Sequence, residues 1–150
     1  MPDNNIAYER DVKYYETDRM GIVHHSNYIR YFEEARIDQM DKIGLPYPEI
    51  EERGIMIPVL FVECAYLKPL RYGDTFRIIP RIAKYTGLKM DISYELYHGE
   101  TGELCTTGKS GHCFLYPDMK PVRMKRDFPD IYERLMEYAE KDRSDCNSGV

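Results

Sequence analysis

The chain has 150 residues, 43% of them apolar and 31% charged, with a formal net charge of -5. That length suits one domain with a real core, and the acidic balance argues against a general nucleic-acid binder, which needs a basic face to neutralise phosphates. No apolar run approaches the ~20 residues that cross a bilayer, and the start Met1-Pro2-Asp3-Asn4-Asn5 lacks the charged-then-apolar pattern of a secretory signal, so neither membrane insertion nor export is expected.

A first strand is predicted over Ala7 to Tyr15. The segment Tyr15-Glu16-Thr17-Asp18-Arg19-Met20-Gly21-Ile22-Val23-His24-His25-Ser26-Asn27-Tyr28 then delivers a carboxylate and a glycine turn to the start of a helix. That helix, Asn27 to Ile43, is read from Ile29, Phe32, Ala35, Met40 and Ile43, with Ser26 and Asn27 as capping side chains and Gly44 then Pro46 closing it. Everything after it favours strands. Ile57 to Leu67 is a nearly continuous apolar run, as expected of a strand buried against a helix, and Leu70-Arg71-Tyr72-Gly73-Asp74 turns it into Thr75 to Tyr85. Past the Thr86-Gly87 turn, Met90, Ile92, Tyr94 and Leu96 alternate with Lys89, Asp91, Ser93 and Glu95, the period of an antiparallel strand with one wet face.

His98 to Gly102 reverses the chain into a long strand, Glu103 to Tyr116, where Gly108 and Gly111 invite a bend or bulge. Phe128-Pro129-Asp130 opens a short surface helix through Ile131, Leu135 and Tyr138. The sum is an α+β domain over residues 1-140, a curved antiparallel five-stranded sheet wrapped around one long helix, followed by a polar, disordered tail over 141-150. Such a domain leaves a helix start and a sheet edge uncovered, so pairing of two copies is expected. The four cysteines, Cys64, Cys105, Cys113 and Cys146, show no close-paired spacing, which suits a reducing cytoplasm.

Asp18 lies one short turn from unpaired helix N–H groups, whose partial positive charge can hold an oxyanion formed during acyl transfer. The same placement also suits a carboxylate that only complements the helix dipole. His24 and His25 invite a metal, yet adjacent side chains point apart and no third ligand stands at a recognised spacing, so no metal and no cofactor is expected. Glu33 is read as an ion-pair residue, with Arg36 as a candidate partner, and a polar role near the site is the alternative. Gly108-Lys109-Ser110 fails as a phosphate loop, because Gly102 is out of register and no helix follows, and as a nucleophile elbow, because His112 stands where the second glycine belongs.

Thr17-Asp18-x-x-Gly21-Ile22-Val23-x-His25-x-Asn27-Tyr28, followed by Phe32-Glu33-x-Ala35-Arg36, resembles the signature of the 4-hydroxybenzoyl-CoA thioesterase family of hotdog-fold acyl-CoA thioesterases. Tyr72-Gly73-Asp74 and Lys120-Pro121-Val122-Arg123 extend the likeness across residues 7 to 125. The resemblance implies the hotdog fold, hydrolysis of an acyl-CoA to free acid and coenzyme A, and homodimers or homotetramers with active sites at the subunit interface. It makes Asp18 the nucleophile or general base and the His25 backbone N–H the group that polarises the thioester carbonyl. In this reading Gly21, Asn27, Tyr28 and Phe32 bind substrate, with Tyr28 and Phe32 lining the acyl tunnel. Arg123 and Lys125, in a cationic cluster with Lys120 and Arg126, would meet the phosphates of the CoA. The rival is a non-catalytic hotdog module that binds acyl-CoA or acts as an oligomeric scaffold, which the retention of Asp18 beside Gly21 disfavours.

Overall fold

The computed structural model describes residues 6-148, with side chains described over 6-144. Five antiparallel strands, β1 (Tyr8–Asp11), β2 (Val59–Tyr66), β3 (Thr75–Tyr85), β4 (Lys89–His98) and β5 (Leu104–Cys113), form one sheet in the order β1-β3-β4-β5-β2. The long helix α1 (Asn27–Lys42) lies against it. This is the hotdog architecture: a five-stranded antiparallel sheet around one long helix, in an α+β fold.

The buried face of α1 is Tyr28, Tyr31, Phe32, Ala35, Gln39 and Met40, at the i, i+3, i+4 spacing of one helix face. Of the expected stripe, Phe32, Ala35, Met40 and Ile43 are buried and Ile29 alone points outward, its place on the buried face taken by Tyr28. The helix stops at Gly44, whose φ of 85° is the left-handed conformation that the turn requires. There Leu45 N–H bonds Met40 O at 2.9 Å and Gly44 N–H bonds Asp41 O at 3.1 Å, the paired bonds of a Schellman stop.

Several expectations need correction. The first strand ends at Asp11 and gives way to a turn of 3₁₀ helix at Tyr14–Glu16. Ser26 and Asn27 do not cap α1: Ser26 Oγ pairs with His24 Nδ1 at 2.8 Å and Asn27 Nδ2 donates to Glu16 O at 2.8 Å. A short helix, α2 (Tyr47–Glu52), was not anticipated, although prolines at its start and Glu49 in its first turn are its signals. The strand β2 is not buried against a helix. It is one of the sheet's two outer strands, paired only with β5, and Val59, Leu60, Phe61, Val62 and Tyr66 are 39–51% exposed.

The C-terminal helix is long rather than short. After the single turn α3 (Met124–Asp127), α4 runs from Pro129 to Ser148, so the expected unstructured tail is helical as far as Ser148, and Gly149 and Val150 lie outside the described residues. Its buried residues Ile131, Leu135 and Ala139 pack on β3, and the Asp142 carboxylate accepts the Ile82 N–H at 2.8 Å. That bond serves a donor at the register shift between Ile82 and Lys84 and ties α4 to the sheet beyond Lys141.

Gly108 and Gly111 are used for close approach. A Cβ on Gly108 would strike the Phe32 ring, and one on Gly111 the Phe61 ring. Gly111 also borders a register shift, between Val59 and Phe61. Phe32 therefore lies flat on the sheet and stacks on Tyr94, with centroids 4.4 Å apart and an interplanar angle of 11°.

Beside it a polar chain crosses the core. Arg36 Nη1 donates to Tyr94 OH at 3.3 Å, Tyr94 OH and Ser110 Oγ share a hydrogen at 2.6 Å, and Ser110 Oγ meets His112 Nε2 at 2.8 Å. Arg36 thus turns into the core instead of pairing with Glu33, because the sheet offers it a buried phenol. Burial, with the Arg36 cation second, pushes the His112 imidazole down to about 4, so this histidine is neutral.

Candidate active site

The approach to α1 is a small, heavily bonded loop. Thr17 and Val23 form a bridge, Asp18 N–H bonds Ile22 O at 2.8 Å, and Gly21 N–H returns to Asp18 O at 2.9 Å. Gly21 has φ of 78°, so the glycine is needed for this reversal. Met20 N–H donates to Asp18 Oδ1 at 2.8 Å, which fixes the carboxylate by one oxygen and leaves Oδ2 without a partner among the described residues. The loop is held to the segment after β2 by Val23 N–H on Leu70 O at 2.8 Å.

The peptide joining His24 to His25 is anchored at neighbouring points. His24 N–H bonds Glu16 O at 2.9 Å, and His24 O accepts the Asn27 N–H at 2.9 Å. His25 O accepts the Tyr66 hydroxyl at 3.0 Å. Among the described residues nothing accepts the His25 N–H, which remains an available donor at the start of α1. The His24 and His25 rings do not diverge. They stack with centroids 4.2 Å apart.

Asp18 and His25 line one cavity of about 280 Å³ with Met20, Ile22, Val23, Tyr28, Tyr66, Leu67, Lys68 and Pro69. Its wall is apolar and aromatic: the Tyr28 and Tyr66 rings meet edge to face at 5.2 Å. Burial pushes the Tyr28 phenol up to about 12, and burial together with the Cys64 thiol does the same for Tyr66. Tyr66 therefore keeps its proton at neutral pH and stays a donor to His25 O. Tyr66→Phe deletes that bond without changing the ring. We expect a severalfold fall in kcat with melting temperature nearly unchanged, read from steady-state kinetics and a thermal scan on one preparation.

Of the residues singled out from the sequence, Asp18, His25 and Tyr28 border this cavity. Gly21 and Asn27 support it from behind, through the loop reversal and the bond to Glu16 O. Phe32 is in the core under Gly108 and not on the cavity wall. Arg123 and Lys125 line a separate hollow with Gly87, Leu88, Met124 and Arg126, and Lys125 sits 5.8 Å from the Tyr132 ring centroid. The cation at the Asp18 cavity is Lys68, paired with Glu103 at 3.0 Å. Tyr66, Leu67 and Lys68 were not anticipated, since no local pattern reveals which end of β2 meets the start of α1. Among the described residues no group of three or more His, Cys, Asp or Glu side chains is arranged to hold a metal ion, and no helix is long and apolar enough to cross a membrane.

Residues 12–135 match the family described as the thioesterase-like superfamily. The chain belongs to that superfamily. Within it, the Bacillus subtilis (strain 168) protein YneP, named a candidate acyl-CoA thioesterase, is 37% identical over 123 residues, covering 81% of this chain and 88% of its own. A 1,4-dihydroxy-2-naphthoyl-CoA hydrolase of Thermosynechococcus vestitus is 26% identical over 92% of both chains. Among solved structures, a DHNA-CoA thioesterase from Staphylococcus aureus superposes with a TM-score of 0.84 at 34% identity, covering 96% of this chain and 94% of that one. The superfamily thus contains relatives named for cleavage of CoA thioesters that share this fold along nearly its whole length.

Proposed function

We propose that this chain is an acyl-CoA thioesterase of the 4-hydroxybenzoyl-CoA thioesterase kind, cleaving the thioester to a free carboxylic acid and coenzyme A. The observation that carries the reading is the cavity at the start of α1, lined in common by Asp18 and by His25, whose N–H has no acceptor among the described residues. A thioester carbonyl seated there would direct its oxygen to the His25 N–H, which stabilises the oxyanion as it forms. Asp18 either attacks the carbonyl carbon, giving an acyl-aspartyl anhydride that water then hydrolyses, or takes a proton from a water that attacks directly. In both routes the carbon–sulfur bond breaks, the sulfur leaves as the CoA thiolate and is protonated, and water supplies the acid's oxygen.

Release of coenzyme A, followed with a thiol reagent over short, long, branched and aromatic acyl-CoAs, tests this. Turnover on at least one class is expected; tight binding of acyl-CoA without release on any would favour a non-catalytic module.

The chain is further read as a cytoplasmic homodimer or homotetramer with its sites at a subunit interface. The open edge of β2 with its exposed Val59, Leu60, Phe61 and Val62 supports self-association, and the free thiols of Cys64, Cys105 and Cys113 suit a reducing compartment. In such an assembly Arg123 and Lys125 are the candidates to meet the CoA phosphates. Reversing both to glutamate is expected to raise KM for acyl-CoA severalfold and leave KM for acyl-pantetheine, which lacks the nucleotide, nearly unchanged. Equal losses on both substrates would remove the phosphate role.

A further inference from the structure

The loop that carries Asp18 is tied down from behind by charges that never reach the cavity. Glu16 is a carboxylate with only 5% exposure. Its side chain accepts the Lys13 N–H at 2.8 Å and the Arg10 guanidinium, and its main-chain carbonyl accepts the His24 N–H at 2.9 Å and Asn27 Nδ2 at 2.8 Å. Arg10 also grips Glu34 of α1, with Nη1 2.8 and 2.9 Å from its two oxygens, and Tyr8 OH donates to Glu34 at 2.7 Å. The guanidinium lies 4.8 Å from the Tyr31 ring centroid, over its face. Burial pushes Arg10 down, but the bonds to Glu34 and Glu16 more than offset it and hold the guanidinium above its ordinary value.

A charge cluster so placed is a poor choice for stability alone, because apolar residues of similar volume would serve as well or better. It does span both halves of the site. Glu16 stands two residues before Asp18, and its carbonyl holds His24, whose own carbonyl belongs to the peptide that presents the His25 N–H. Arg10 links that clamp to the body of α1 through Glu34. We propose that the Arg10, Glu16 and Glu34 triad is a positioning device for the reaction, fixing the Asp18 carboxylate relative to the His25 N–H without touching substrate. This rests on the reading of Asp18 and His25 as the reacting pair. The physical basis is the steep dependence of rate on alignment: a displacement of about 1 Å can cost on the order of a hundredfold.

The test uses Arg10→Met, Glu16→Gln and Arg10→Lys in the full chain, with kcat, KM and amide exchange measured well below each melting temperature. Arg10→Met is expected to lower kcat at least tenfold with KM within twofold, and to speed exchange of the His24 amide at least tenfold while the Ile92 amide in β4 is unaffected. Arg10→Lys keeps the charge but not the fork geometry and is expected to recover part of kcat. Glu16→Gln, nearly isosteric and able to keep the Lys13 bond, carries the test if Arg10→Met does not fold. A folded variant with native kcat or with unchanged His24 exchange overturns the proposal, as does one whose exchange rises equally throughout the sheet. An inactive wild type sinks the thioesterase reading and the triad's part in the reaction with it, whereas an active wild type with an unaffected Arg10→Met sinks the triad alone.

Discussion

Asp18→Asn is expected to give a folded protein whose kcat is lower by about a hundredfold or more, with substrate Kd little changed. The asparagine can keep the one side-chain bond that Asp18 makes to the loop, since its amide oxygen can accept the Met20 N–H in place of Asp18 Oδ1. What it loses is the second carboxylate oxygen, Oδ2, which has no partner among the described residues, and an amide nitrogen there neither attacks a carbonyl nor takes a proton from water. A hundredfold corresponds to about 2.7 kcal/mol of transition-state stabilisation. Were Asp18 only a complement to the helix dipole, the same change would cost roughly 0.3 to 1 kcal/mol of stability and spare turnover. Measuring kcat, Kd and melting temperature on one preparation separates the two, and near-native kcat in a folded variant ends the mechanism.

Phe32→Ala carries the largest expected effect on stability. The ring is 1% exposed, lies on Gly108 and stacks on Tyr94, so removing it opens a hole between α1 and the middle of the sheet. Large-to-small changes of this kind cost about 3 to 5 kcal/mol. For a chain of this size that lowers the melting temperature on the order of 10 °C. A tunnel-lining Phe32 would behave differently, raising KM with the melting temperature nearly intact. Denaturant midpoints together with KM on the variant decide between core and tunnel.

The parts of the candidate site are legible in the sequence because they are close in the chain. Asp18, Gly21, His25 and Asn27 fall in one stretch, and the glycine's positive φ and the Asp18 to Met20 bond are local consequences of residue type. The alternation along β4 was equally plain, since Met90, Ile92, Tyr94 and Leu96 must share a face. What stayed hidden depends on partners far away in sequence. At the first turn of α1 the apolar pattern admits Ile29 as readily as Tyr28, and only the sheet decides between them. The apolar run of β2 reads as interior because hydrophobicity alone does not distinguish a central strand from an outer one. Tyr66 reaches His25 O across a sequence gap that no local pattern bridges. Along α4, Asp142 meets a donor on β3, a contact that a polar C-terminal composition conceals.

The outer strand has a further consequence, for how the chain is made rather than for what it does. The run Val59–Tyr66 contains no proline, carries Glu63 as its one charge, and presents a row of backbone donors and acceptors along its open side. A newly synthesised or refolding chain exposes that row before any correct partner arrives, and any other extended segment can pair with it. Glu63 is the single gatekeeper against such pairing. Refolding yield therefore depends on how dilute the chains are while β2 waits, and slow, dilute refolding favours the native product over aggregates.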